Sequence, residues 1–228
     1  GLVDEDTAVD DEPGGVDTAD TGEDPETDSG DGSDSGSARI CALSTDIKIN
    51  ETLVHPDVES GDDGHKWVEI YNRGTEAVNL YGWHLQGGTS SIEHFIEFGD
   101  VIVEPEGFLL VGGSEVTEKD VEASLSLGHA TSDADIIQLM DCDGVVADTL
   151  IYGTPNSDEW VDDAGEVATS TAPTPSIGES IARSPDGADS DDAGVDFVVV
   201  STPTPGGHSA TSPVPADTGG PFAGCDVS

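Results

Sequence analysis

Basic side chains are scarce. The chain of 228 residues has 6 Lys or Arg against 49 Asp or Glu, a formal charge of −43. Nucleic-acid binding draws affinity from clustered Lys and Arg that displace counterions from phosphate. Arg39, Lys48, Lys66, Arg73, Lys119 and Arg183 form no run, which argues against a nucleic-acid partner. Long apolar runs are missing too. No stretch approaches the roughly 20 apolar residues that cross a bilayer, so a membrane would be reached through an anchor and not by spanning. With no initiator Met and no signal peptide, the chain reads as a trimmed mature form. No Gly-x-Ser-x-Gly elbow, P-loop or dinucleotide glycine pattern occurs. His55, His65, His84, His94, His129 and His208 fall in no zinc-ligand spacing, although His84 and His94 could meet across strands. Carboxylate pairs are so common that they select no hydrolytic site. The expectation is a protein that is not an enzyme and requires no cofactor.

What is abundant is acid. It suits a salty medium, a hard cation such as calcium, or simply a soluble surface that resists aggregation. Residues 1–40 are dominated by Asp, Glu, Gly, Ser and Thr and hold no aromatic, with near-repeats such as Asp28-Ser-Gly-Asp-Gly-Ser-Asp-Ser-Gly36. Such a segment buries too little apolar area to offset its ordering entropy, and reads as a disordered acidic stalk. Residues 207–228 return to Pro, Gly, Ser and Thr and read as a second flexible tail.

Between these tails, at 41–206, short alternating segments recur with turn signals between them. They are Asp46–Val54, Lys66–Asn72, Val78–Leu85, Ile92–Phe98, Val101–Val103, Gly107–Val111, Ala134–Met140, Val145–Tyr152, Ile177–Arg183 and Asp196–Val200. No segment shows a long helical period, so the pattern predicts an all-β sandwich. In Lys66–Asn72 the alternation puts Trp67, Glu69 and Tyr71 on one face and Val68 and Ile70 on the other. Gly82 marks a bulge or a close backbone approach. Asp141-Cys-Asp-Gly144 is a hairpin turn. Pro155–Ser176 reads as a polar surface loop, with Trp160 either pinning it to the body or facing a partner.

Several of these pieces stand in the order found in one known family. Ile47-Lys-Ile-Asn-Glu51, Trp67-Val-Glu-Ile-Tyr-Asn72, Val78-Asn-Leu-Tyr-Gly-Trp-His-Leu85 and Pro105-Glu-Gly-Phe-Leu-Leu-Val111 are four of them. The hairpin ending at Asp148 and the closing run from Arg183 to Thr-Pro-Thr-Pro-Gly206 complete the set. Together they resemble the bacterial lamin-tail domain (LTD), over roughly Asp46 to Gly206, with Glu106 interrupting the usual Pro-Gly step. The resemblance implies an immunoglobulin-like β-sandwich that is secreted or displayed at the cell surface, with no catalytic residues. It implies a non-enzymatic interaction or adhesion module whose partner would be a surface protein or a glycan. Self-assembly as a filament subunit and service as an accessory domain of a secreted hydrolase are the alternatives. Asn50 and Glu51 are expected to bond strand ends or neighbouring backbone. Trp67, Tyr81 and Trp83 are expected to pack in the core or at its rim.

Two groups of residues invite chemistry. Asp186, Asp189, Asp191, Asp192 and Asp196 crowd one loop, where they would either hold calcium or cap backbone N–H groups in Asx turns. Asp62 and Asp63 are a weaker pair of the same kind. Of the three cysteines, Cys41 and Cys142 form the favoured disulfide, with a Cys41–Cys225 pairing as the alternative. Cys225 otherwise stands free after Gly-Gly-Pro-Phe-Ala-Gly, which resembles the start of a myxobacterial C-terminal sorting signal. It is the candidate anchor, by lipid attachment or processing, for an extracellular or outer-membrane-anchored lipoprotein.

Overall fold

The computed structural model describes residues 41–209. The expected stalk at 1–40, the tail beyond Ser209 and Cys225 lie outside the described residues.

The alternating segments form the strands. They are β1 (Ile47–Leu53), β2 (Trp67–Asn72), β3 (Val78–Asn79), β4 (His84–Gly88), β5 (Glu93–Glu97), β6 (Ile102–Val103), β7 (Phe108–Gly112), β8 (Val121–Glu122), β9 (Asp135–Met140), β10 (Val146–Tyr152), β11 (Ser180–Arg183) and β12 (Phe197–Val200). A short helix α1 (Ala193–Asp196) precedes β12, and a single 3-10 turn covers Asp62–Gly64. The strands pair as a six-stranded sheet, β12-β11-β1-β2-β7-β8, and a four-stranded sheet, β10-β9-β4-β5, with β3 and β6 as a separate ribbon. All pairs are antiparallel except β7 with β8.

The core lies between the sheets. Ile49, Val68, Ile70, Leu109 and Val111 face Leu85, Ile137, Leu139, Leu150 and Tyr152, with Leu80 and Trp83 fully buried among them. The two faces read from Lys66–Asn72 are present. Val68 and Ile70 enter this core, while Trp67 joins Leu110 and Val116 in a second cluster outside the sheet. Trp160 pins its loop. It packs against Ala134, Ile136 and Ile151, and its Nε1–H donates to the Ala134 carbonyl at 3.0 Å.

Two local departures have clear causes. Val78–Leu85 is not one strand, because Asn79 Oδ1 accepts the Tyr81 N–H and Gly82 turns at φ 79°, so the chain breaks before His84. A Cβ at Gly82 would also stand 3.0 Å from Cys142 Cβ, the close approach that the sequence anticipates. At the other end, the domain does not stop at Gly206: His208 Nδ1 lies 2.8 Å from Asp186 Oδ2, and the Ser209 N–H donates to Asp186 Oδ1.

Cys41 and Cys142 are joined in a disulfide that ties the start of the domain to the β9–β10 hairpin across 101 positions of sequence. Loop closure of that length restricts the unfolded chain strongly. Replacing Cys142 with Ser should lower the unfolding free energy by about 2–5 kcal/mol. Denaturant unfolding of the variant beside the unreduced parent measures it.

Candidate functional site

β1 is buried almost along its whole length, and polar residues alternate with apolar ones in it. A register irregularity between Ile49 and Glu51 interrupts its pairing with β2. Its pairing with β11 begins at Glu51, so the backbone of Ile49 needs another partner. Side chains supply it. The Ile49 N–H donates to Asp148 Oδ2 at 2.6 Å, and Arg183 Nε donates to the Ile49 carbonyl at 2.8 Å. Arg183 Nη2 closes the ring on Asp148 Oδ1 at 2.7 Å. The guanidinium also stacks 4.4 Å above the Phe197 ring and donates to the Ala188 carbonyl. Burial works against the Arg183 charge, but Asp148, Asp189 and Asp196 outweigh it and hold the guanidinium above its ordinary value.

The aspartates of the 184–196 loop separate into different roles. Asp196 accepts from Arg183 Nη1 at 3.1 Å and from the Ser190 N–H and hydroxyl. Asp189 meets Lys48 Nζ at 2.5 Å, Arg183 Nη1 at 3.5 Å and Arg73 Nη1 at 3.7 Å. Asp192 caps α1 by accepting the Gly194 N–H. Asp186 faces elsewhere, bonding Asn50, His208 and Ser209. Asp191 has a positive φ of 59°. Asp186 therefore stands apart from the others, while Asp189, Asp192 and Asp196 are engaged by ion pairs and capping. In the same way Asp62 and Asp63 meet Lys66 Nζ at 3.4 and 2.6 Å, and Asp62 meets His129 Nε2 at 2.7 Å. His129 stacks on His55, with ring centroids 3.8 Å apart, and the expected approach of His84 to His94 occurs at 5.3 Å.

The structure gathers a different acidic group. Asp148, Asp163 and Asp189 each bring one oxygen within 4.8 Å of the others. Lys48 Nζ, 2.5 Å from Asp189 and 3.7 Å from Asp148, is the cation beside them. Burial, and then the charges of Asp148 and Asp191, push Asp163 up to about 6. Sequence reasoning missed this group because Asp148 stands in a strand and Asp163 in a polar loop, both remote from the aspartate-rich segment. A cavity of about 310 Å³ opens beside them, lined by Thr149, Asp163, Glu166, Arg183, Asp189 and Asp192 among others.

A second acidic row lies under the closing segment. Glu51 and Glu69 face each other across β1 and β2 and are fully buried. Glu51 accepts the Ser180 hydroxyl, the Thr204 N–H and the Thr204 hydroxyl. Glu69 accepts the Asn50 amide at 2.9 Å and the Gly206 N–H at 2.6 Å. These bonds fasten the Thr-Pro-Thr-Pro-Gly run to the sheet. Burial drives Glu69 up to about 8, against the pull of Asn50 and Gly206 and with the help of Glu51 and Asp186.

Both sites yield measurable expectations. Arg183→Met removes the partner of buried carboxylates and should cost about 3–5 kcal/mol in denaturant unfolding. A carboxyl raised in the folded state gives stability that is full below its unfolded range and lost as pH climbs through the folded value. Glu69 should therefore add a decline in stability between pH 4.5 and about 8. Melting temperature against pH should fall less steeply over that window in Glu69→Gln than in the parent.

Comparison with known proteins is consistent with this architecture. Residues 42–154 match the family model described as Lamin Tail Domain. The matched span ends before β11 and β12, which nevertheless extend the larger sheet beyond β1, with β11 paired to β1 and β12 to β11. No curated protein matches the chain. The family is immunoglobulin-like and non-catalytic, a protein-interaction module.

Proposed function

From the membership of residues 42–154 in the lamin tail domain family, we propose that this protein is an interaction module working outside the cytoplasm, in adhesion at the cell surface. The Cys41–Cys142 disulfide carries the reading. Disulfides form and persist in oxidising compartments and are rare where thiols are kept reduced. The acid excess supports it, since a strongly charged surface keeps a displayed domain soluble and apart from its neighbours. The partner would be a surface protein or a glycan. Adhesion is preferred to a filament built by edge pairing because the edge strand β5 carries the exposed Glu93 and Glu97. Charge on an edge strand opposes pairing with another chain.

Fractionation of producing cells tests this. The chain should appear in the envelope or the medium, with Cys41 and Cys142 alkylated only after reduction. A cytoplasmic chain whose two thiols react with alkylating agent before reduction would overturn the proposal. Beads coated with the full chain should also be retained on intact cells, whereas unretained beads would remove adhesion from the reading.

A further inference from the structure

The cluster at the start of β1 contains a buried nucleophile that the proposed function does not use. Lys48 has a side chain only 5% exposed, and its Nζ stands 2.5 Å from Oδ2 of Asp189, itself 8% exposed. The same carboxyl group is held from its other oxygen, with Arg183 Nη1 3.5 Å from Oδ1. Asp163 completes the group, with an oxygen within 4.8 Å of both Asp148 and Asp189. We propose that Lys48 and Asp189 condense to an intramolecular amide, a covalent cross-link between β1 and the loop before α1.

The parts match what amide formation between an amine and a carboxylic acid needs. The fold presses amine and carboxyl together, which removes the entropy of encounter. The fixed guanidinium of Arg183 faces the oxygen on which negative charge develops. Asp163, which burial and then Asp148 and Asp191 raise to about 6, can carry a proton near neutral pH. Asp148 has another task, since the Ile49 N–H and Arg183 occupy its oxygens.

The resting state is the ion pair. Burial pushes Asp189 up, but Lys48, Arg183 and Arg73 together hold it below the usual carboxylate range. The reaction begins when the Lys48 ammonium passes a proton to Asp189 Oδ2. The freed amine lone pair adds to Asp189 Cγ, and Oδ1 takes the negative charge beside Arg183. Asp163 gives its proton to the Oδ2 hydroxyl and receives one from Nζ in exchange. The Cγ–Oδ2 bond breaks, the C–N amide remains and one water leaves. Atoms and charge balance with no oxidant or co-reactant. The driving force is removal of a buried ion pair, whose desolvation is costly. Arg183 keeps Asp148 and Asp196 as partners afterwards.

Mass spectrometry of the reduced full chain, taken from a sample that melts cooperatively, tests the inference without any variant. The expected chain is lighter than its sequence mass by one water. Loss of water at an Asp-Gly pair would give the same mass, so tryptic peptides are needed as well. Trypsin should fail to cut after Lys48 and should release one branched peptide joining residues 40–66 to residues 184–228. Lys48→Arg keeps the charge, and Asp163→Asn keeps both reactants; the branch should be absent from the first and much reduced in the second. A folded parent of full sequence mass, cleaved normally after Lys48, would overturn the proposal and leave an ion pair only. So would a water loss without the branched peptide.

Discussion

The backbone of one residue, Ile49, shapes much of this molecule. It lies in the buried centre of the larger sheet at a place where no neighbouring strand serves it on one side. An unpaired buried peptide group costs free energy comparable to a lost hydrogen bond. Asp148 and Arg183 meet the need as a joined pair, one accepting and one donating, and so imitate a strand. The consequence is wider than one peptide. Asp148 belongs to β10 in the smaller sheet and Arg183 to β11 in the larger one. The same ring that satisfies Ile49 therefore fixes the two sheets to each other along β10, the outer strand of the smaller sheet.

The remaining cations follow from that choice. The described residues hold Lys48, Lys66, Arg73, Lys119 and Arg183, and each forms an ion pair within the domain. In a chain so short of positive charge, Lys48, Lys66 and Arg183 are drawn into the interior, where buried Asp148 meets Lys48 and buried Asp196 meets Arg183. This accounts for the dispersal of the aspartate-rich loop. Four carboxylates close in sequence would repel one another as a bare group. Asp189 and Asp196 take Lys48, Arg73 and Arg183, Asp192 caps the start of α1, and Asp186 turns away to hold His208 and Ser209.

Much of the fold could be read from the residues themselves. The alternation in Ile47–Leu53, Trp67–Asn72, Asp135–Met140 and Val146–Tyr152 marks strands because one face of each must meet the core. The apolar bulk of Trp160 in a polar loop left pinning and partner contact both open, and its packing on Ala134, Ile136 and Ile151 decides for pinning. The two-residue strand β8 was not legible, since its parallel pairing with β7 leaves no periodic signature in so short a run. Neither was the broken strand at Gly82, where a side-chain turn at Asn79 overrides an alternating pattern. The site was less legible still. The sequence announces that Asp186 to Asp196 need neutralising, but Lys48, Arg73 and Asp148 lie more than a hundred residues away or on another sheet, and only folding brings them in. Glu51 and Glu69 look like ordinary strand acids until the Thr-Pro-Thr-Pro-Gly run is seen to lie across them.

The way the domain's two ends are held bears on how it would respond to being pulled. Cys41 at one end is bonded covalently to the β9–β10 hairpin of the smaller sheet. The segment 204–209 at the other is held by Glu51, Glu69 and Asp186, on and beside the central strands of the larger one. Tension applied between those ends enters one sheet through a covalent bond. It leaves the other through several short hydrogen bonds loaded together. The first structure to yield would be the closing strap, not either sheet. A domain built this way could lengthen slightly under load and re-engage its strap afterwards, while the core between the sheets stayed dry.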